Sequence, residues 1–132
     1  MLRKKTFDQW LDVWRCWNPR TRHALFALKN MAKLAQSFKQ CYTVYHCAPG
    51  GSDLRQIALK NMAALAQTFD DWCDVYRCTV EGSQLRQTAL ANMAALAQTF
   101  EEWHVVYNRA PEGSELRQTA RANMIELESA AE

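Results

Sequence analysis

Gly51-Ser52-Asp53-Leu54-Arg55-Gln56 returns as Gly82-Ser83-Gln84-Leu85-Arg86-Gln87 and again as Gly113-Ser114-Glu115-Leu116-Arg117-Gln118, 31 residues apart each time. The same register carries Asn30, Asn61, Asn92 and Asn123, each followed by Met, and also Phe7, Phe38, Phe69 and Phe100, and Val13, Val44, Val75 and Val106. Residues 51–81 and 82–112 are identical at 20 of 31 positions. A period in the range of about 20–50 residues marks a stacked array, because one such unit cannot bury its own apolar face.

Each period reads as two helices. Ser52 follows a glycine and is suited to cap the stretch that begins at Asp53. That stretch is rich in Ala, Leu, Met and Gln, all strong helix formers. Its apolar positions Leu54, Ala58, Leu59, Met62, Ala63, Leu65 and Ala66 cover more than half the helical circumference, the pattern of an inner helix buried on two sides. Thr68-Phe69-Asp70-Asp71 is a capping box that opens a second helix, and it recurs from Thr6, Ser37 and Thr99. Phe69, Trp72, Val75 and Tyr76 then form one apolar stripe while Asp70, Asp74 and Arg77 face away, as in a half-exposed outer helix. Glycines and prolines in the links, among them Pro49 and Pro111, fit loops.

The expected fold is therefore all-α, a solenoid of stacked antiparallel helix pairs with about eight short helices near 6–17, 21–35, 37–48, 52–66, 68–79, 83–97, 99–109 and 114–128. The chain of 132 residues suits one helical-repeat domain, 1–132: a partial N-terminal unit 1–19, repeats 20–50, 51–81 and 82–112, and a C-terminal capping helix in 113–132. The cap is marked by Arg121, Glu126 and Glu128, which replace Leu90, Ala95 and Ala97 of the preceding repeat. In such a stack only sequential neighbours are expected to touch. The first helix carries Trp10, Trp14 and Trp17, which either pack on the following hairpin or form an exposed patch for a partner.

Composition excludes several classes. With 48% hydrophobic and 23% charged residues, four glycines and three prolines, the chain is neither disordered nor collagen-like. No apolar run reaches the roughly 20 residues that span a bilayer, so no membrane partner is expected. The N-terminus leads into an amphipathic segment and not a signal-peptide core. Five cysteines without secretion signals favour a reducing, cytoplasmic setting. Cys16, Cys47 and Cys78 share one repeat position, which becomes Arg109 in the next, and helices about 8–10 Å apart hold such residues too far apart for disulfides. No zinc spacing, phosphate loop or nucleophile motif occurs, so no metal, cofactor or enzymatic activity is expected.

The residues resemble the tetratricopeptide class of helix-hairpin repeats. Ala89-Leu90-Ala91-Asn92-Met93-Ala94 is similar to the family's first helix, with Met93-Ala94 at its large-small pair, and Thr99-Phe100-Glu101-Glu102-Trp103 with Tyr107 and Ala110 is similar to its second. The likeness covers all four units. The period of 31 is shorter than the family's roughly 34, the small position is Ala, and the family's Pro is present only at Pro49 and Pro111; HEAT-like helix pairs remain an alternative. The resemblance implies that Asn30, Asn61, Asn92 and Asn123 line an inner groove and clasp the backbone of an extended peptide. An amide, which both donates and accepts, suits that task; the alternative is an amide bonded to the neighbouring repeat's backbone. Lys29, Lys60 and Lys33 on the same polar face would, by the same resemblance, hold a carboxylate, or else are simply solvated.

Arg55, Arg86 and Arg117 read as a ladder paired to acids of the outer helices. Residues 1–33 carry a net +6 and residues 34–132 a net −4, a polarity that steers an acidic partner toward the N-terminal end or favours head-to-tail contact. The expected function is a non-catalytic interaction module that binds a protein or peptide. The alternatives are self-association through the N-terminal helix as a scaffold, and, less favoured, nucleic-acid binding through Arg3, Lys4, Lys5, Arg20 and Arg22.

Overall fold

The structure is a computed structural model that describes residues 4–131. Among these residues it is all-α and without strands, with α1 (Phe7–Cys16), α2 (Arg22–Leu34), α3 (Phe38–Cys47), α4 (Asp53–Leu65), α5 (Phe69–Cys78), α6 (Gln84–Leu96), α7 (Phe100–Arg109) and α8 (Glu115–Ala130). The chain divides into two compact units, Met1–Leu65 and Ala66–Glu132. No helix among the described residues is long and apolar enough to cross a membrane.

The helix starts are written locally. Thr6, Ser37, Thr68 and Thr99 each accept the backbone N–H three residues on, while Gln9, Gln40, Asp71 and Glu102 reach back to the cap. These reciprocal bonds satisfy donors that a helix start otherwise leaves unpaired. The links into α4, α6 and α8 share one turn. Ser52, Ser83 and Ser114 donate their N–H to the carbonyls of Pro49, Val80 and Pro111, each at 3.1 Å. The third residue of each turn is Gly51, Gly82 or Gly113, with φ of 78°, 82° and 77°. A type II turn demands positive φ at that place, which only glycine adopts without strain. The first link has no such glycine: Thr21 N–H meets the Asn18 carbonyl and Asn18 Oδ1 accepts from Arg20 N–H at 3.0 Å, an Asx turn.

These turns close the tight hairpins. The closest packing joins α1 to α2 and α3 to α4 in the first unit, and α5 to α6 and α7 to α8 in the second. Packing is looser from α2 to α3 and from α6 to α7. A frame cut at Gly51 therefore separates two helices that pack most closely, whereas one cut before α3 keeps them together. Contact is not confined to consecutive helices, because α2 also touches α4; the repeats 20–50 and 51–81 that hold these two helices are themselves consecutive.

In the first unit Phe7, Leu28, Met31, Val44, Ala48 and Ala58 form a buried cluster, with Trp10, Trp14, Tyr45 and Leu54 against it. In the second, Phe69, Val75, Tyr76, Leu90, Met93 and Val106 are buried. Met31, Met62 and Met93 occupy one repeat position and are fully covered, worth about 1.5–3 kcal/mol each. Ala27, Ala58, Ala89 and Ala120 share another, where a methyl group leaves room for a neighbouring helix. The inner helices are less enclosed than their apolar arc implies. Leu34, Leu65 and Leu96, in the last turn of their helices, are partly exposed, and Ile57, in the second turn of α4, is half exposed. Arg121, Glu126 and Glu128 of α8 are exposed, as is Ile125.

Candidate functional site

The four asparagines lie two in each unit, Asn30 on α2 and Asn61 on α4, Asn92 on α6 and Asn123 on α8. Three use their amide in the same way. Nδ2 of Asn30 donates to the Phe26 carbonyl at 2.9 Å, and Asn92 and Asn123 donate to the Thr88 and Thr119 carbonyls at 3.0 Å. Each bond runs one turn back along the residue's own helix. It fixes the side chain locally and leaves Oδ1 uncommitted. Asn61 is exposed and lines a shallow dent with Ala32 of α2, Ala35 just after that helix, and Ile57 of α4. Asn123 borders a second, open cavity beside Trp103 and Glu126.

Helical spacing sets Phe26, Lys29, Asn30 and Lys33 on one face of α2, and Ile57, Lys60 and Asn61 on one face of α4. The three lysines are exposed. Phe26 is 60% and Ile57 51% exposed, unusual for apolar side chains of their size in a packed repeat. The corresponding positions in the second unit are Thr88 and Thr119, and Glu126 stands where α2 has Lys33. The apolar and cationic character of this face therefore belongs to the first unit. The spacing that pairs Phe26 with Asn30 and Ile57 with Asn61 was readable in the sequence; that these two apolar residues face outward was not.

The arginine ladder exists, but its partners differ from those expected. Arg55, Arg86 and Arg117 place their guanidinium carbons 4.5, 4.3 and 4.3 Å from the ring centroids of Tyr45, Tyr76 and Tyr107. They also donate to the carbonyls of Tyr45, Thr79 and Ala110. The first turn of each inner helix brings the arginine over the C-terminal end of the preceding outer helix. There the tyrosine face and the last carbonyls are the electron-rich groups; α3 has no acid at all, and the first-turn acids of α5 and α7 lie at the opposite end. The ion pairs shown among the described residues are Arg15–Asp12 within α1 and Arg77–Asp74 within α5.

The tryptophans of the N-terminal segment are largely engaged. Trp10 meets Phe26 edge-on at 5.5 Å, Trp17 stacks on His23 at 4.2 Å, and Trp14 lies against the core. Trp17 remains 45% exposed. Lys5 sits over the Trp10 ring at 5.1 Å. Lys4, Arg20 and Arg22 are exposed, whereas Arg3 lies outside the described residues. None of the five cysteines forms a disulfide. Burial pushes the thiols of Cys41, Cys47 and Cys73 above their ordinary value, with Arg15 opposing the shift at Cys47. Among the described residues no three His, Cys, Asp or Glu side chains converge on a point.

Comparison with known proteins finds no match among family models, curated proteins or solved structures.

Proposed function

We propose that the chain is a non-catalytic interaction module that holds an extended peptide along the exposed face of the inner helices within a unit. The observation that carries this reading is the state of the asparagine amides. Asn30, Asn92 and Asn123, bonded to their own helix and not to a neighbouring repeat, are held in place with an acceptor to spare, which is what an extended backbone N–H requires, and Asn61 is exposed on the matching face of α4. Outward-facing Phe26 and Ile57 offer apolar contact beside them, and Lys29, Lys33 and Lys60 favour a peptide with acidic side chains. The tetratricopeptide-like pattern of the helices supports the same use of this face.

The test is selection of random peptides against the intact chain, followed by titration of the best binders into Asn30→Ala/Asn61→Ala. Loss of a backbone acceptor in a desolvated groove weakens binding by about tenfold or more per site. Affinity falling in this way, with helicity and melting temperature unchanged, supports the reading. Undiminished affinity overturns it, and a collapsed melting transition makes these side chains structural. Self-association is the second reading, supported by the exposed Trp17 and Phe26. Light scattering over a concentration series separates the two, since a chain monomeric at millimolar concentration does not self-associate.

A further inference from the structure

Arg109 breaks the pattern of the repeats: Cys16, Cys47 and Cys78 occupy the same position in the other outer helices. It is the last residue of α7, and its guanidinium carbon lies 5.5 Å from the centroid of the Tyr76 ring. Arg86, from the first turn of α6, lies 4.3 Å from the same centroid. Tyr76 is buried, so the ring is a fixed platform, and Arg86 is further anchored by its bond to the Thr79 carbonyl. Both arginines border one cavity of about 490 Å³, whose walls include Leu90, Pro111 and Leu116. Its size falls in the range of small-ligand clefts, about 300–1,000 Å³.

Neither guanidinium takes part in the Arg15–Asp12 or Arg77–Asp74 ion pairs. Two like charges sharing one cavity raise each other's energy, and an anion between them lowers it through charge-assisted, geometrically matched bonds. The other walls narrow the choice of anion. Leu90, Pro111 and Leu116 are apolar and favour a ligand with a hydrocarbon body. Glu81, also on the lining, disfavours a second negative charge. Inorganic phosphate satisfies neither condition.

We propose that this cavity binds an organic monocarboxylate with an apolar body, the chemistry of a leucine-like residue bearing a free α-carboxylate. The carboxylate oxygens accept from Arg109 and Arg86, and the side chain lies on Leu90, Pro111 and Leu116. The site rests on residues of the second unit and does not use the asparagines, so it stands whether or not they bind peptide.

The test is titration of the full chain, followed by calorimetry and amide chemical shifts, with N-acetyl-leucine, its amide, and a hexapeptide ending in leucine as free acid and as amide. The expected result is saturable binding of an acid form, at least about tenfold tighter than its amide. Arg109→Cys, which installs the residue of the other repeats, should lower that affinity about tenfold with helicity unchanged, and Arg109→Lys should restore part of it. Equal binding of N-acetyl-leucine and the peptide acid identifies a free small acid as sufficient, and preference for the peptide identifies a chain terminus; both support the site. It is overturned if acid and amide bind alike, if phosphate binds as tightly, if Arg109→Cys retains full affinity, or if no acid saturates by about 10 mM, beyond the range of specific recognition.

Discussion

Replacing Arg86 by Met removes the guanidinium and keeps most of the hydrocarbon stem, so the loss reports what the charged head contributes. Two interactions disappear. One is the cation–π contact with the buried Tyr76 ring at 4.3 Å, worth about 0.5–1 kcal/mol when exposed and about 2 when desolvated. Arg86 is half-buried, which places it near 1 kcal/mol. The other is the bond to the Thr79 carbonyl, long at 3.4 Å and so at the low end of about 0.5–1.5 kcal/mol. Together they amount to about 1.5–2 kcal/mol. Urea denaturation followed by circular dichroism, in low salt and again in 0.5 M NaCl (roughly the regime of a few ångströms' Debye length), measures the loss. Arg77→Met is the control, because the exposed Arg77–Asp74 pair contributes only about 0–1 kcal/mol. A double-mutant cycle with Tyr76→Leu should return a coupling of about 0.5–1 kcal/mol. The reasoning fails if Arg86→Met is no worse than the control, if the coupling is zero, or if high salt abolishes the effect, which would point to a carboxylate partner.

Gly82→Ala should destabilise by about 1–2 kcal/mol because φ is +82° there. By contrast Gly50→Ala, whose added Cβ would only touch Arg55 Nη1 at 3.4 Å, should be neutral or stabilising by about 0.4–1 kcal/mol in the same urea assay. Met93→Ala, at a position with no exposed surface, should cost about 2–5 kcal/mol; a loss below about 1 kcal/mol would mean that the site collapses without a cavity. Raised thiol pKa values at Cys41, Cys47 and Cys73 mean that the unfolded chain gives up these protons first. The stability they contribute is present below the ordinary value of 9.0 and is lost as pH rises through the folded values. A denaturation midpoint that rises between pH 9 and 11 would contradict this (roughly the window above the ordinary thiol value).

What the sequence showed clearly was local. A capping box is complete within four residues, so Thr68 with Asp71 and Thr99 with Glu102 could be read directly, and the helix ends followed. The glycines of the turns were visible for the same reason. The buried Met and Val positions followed from period and propensity alone. Legibility failed where a partner lies across a turn. Arg55 meets Tyr45 ten residues earlier in the chain, and the pattern could not distinguish an outer-helix acid from the ring and carbonyls at that helix's other end. The asparagine bonds were missed because two alternatives, a peptide and a neighbouring repeat, left out the residue's own helix. The shared cavity of Arg86 and Arg109 needs the hairpin of α5 and α6 to meet that of α7 and α8, a non-local fact carried by a single departure from the repeat.

The central structural claim is that each outer helix folds back onto the inner helix after it, with arginine laid over tyrosine at the last three of these turns. Nuclear Overhauser effects from the ring protons of Tyr45, Tyr76 and Tyr107 test this most directly. The account predicts strong effects to the side-chain methylenes of Arg55, Arg86 and Arg117, with helical shifts through Phe69–Cys78 and Gln84–Leu96. Rings whose neighbours lie on other helices, or extended-strand shifts in either segment, would contradict it.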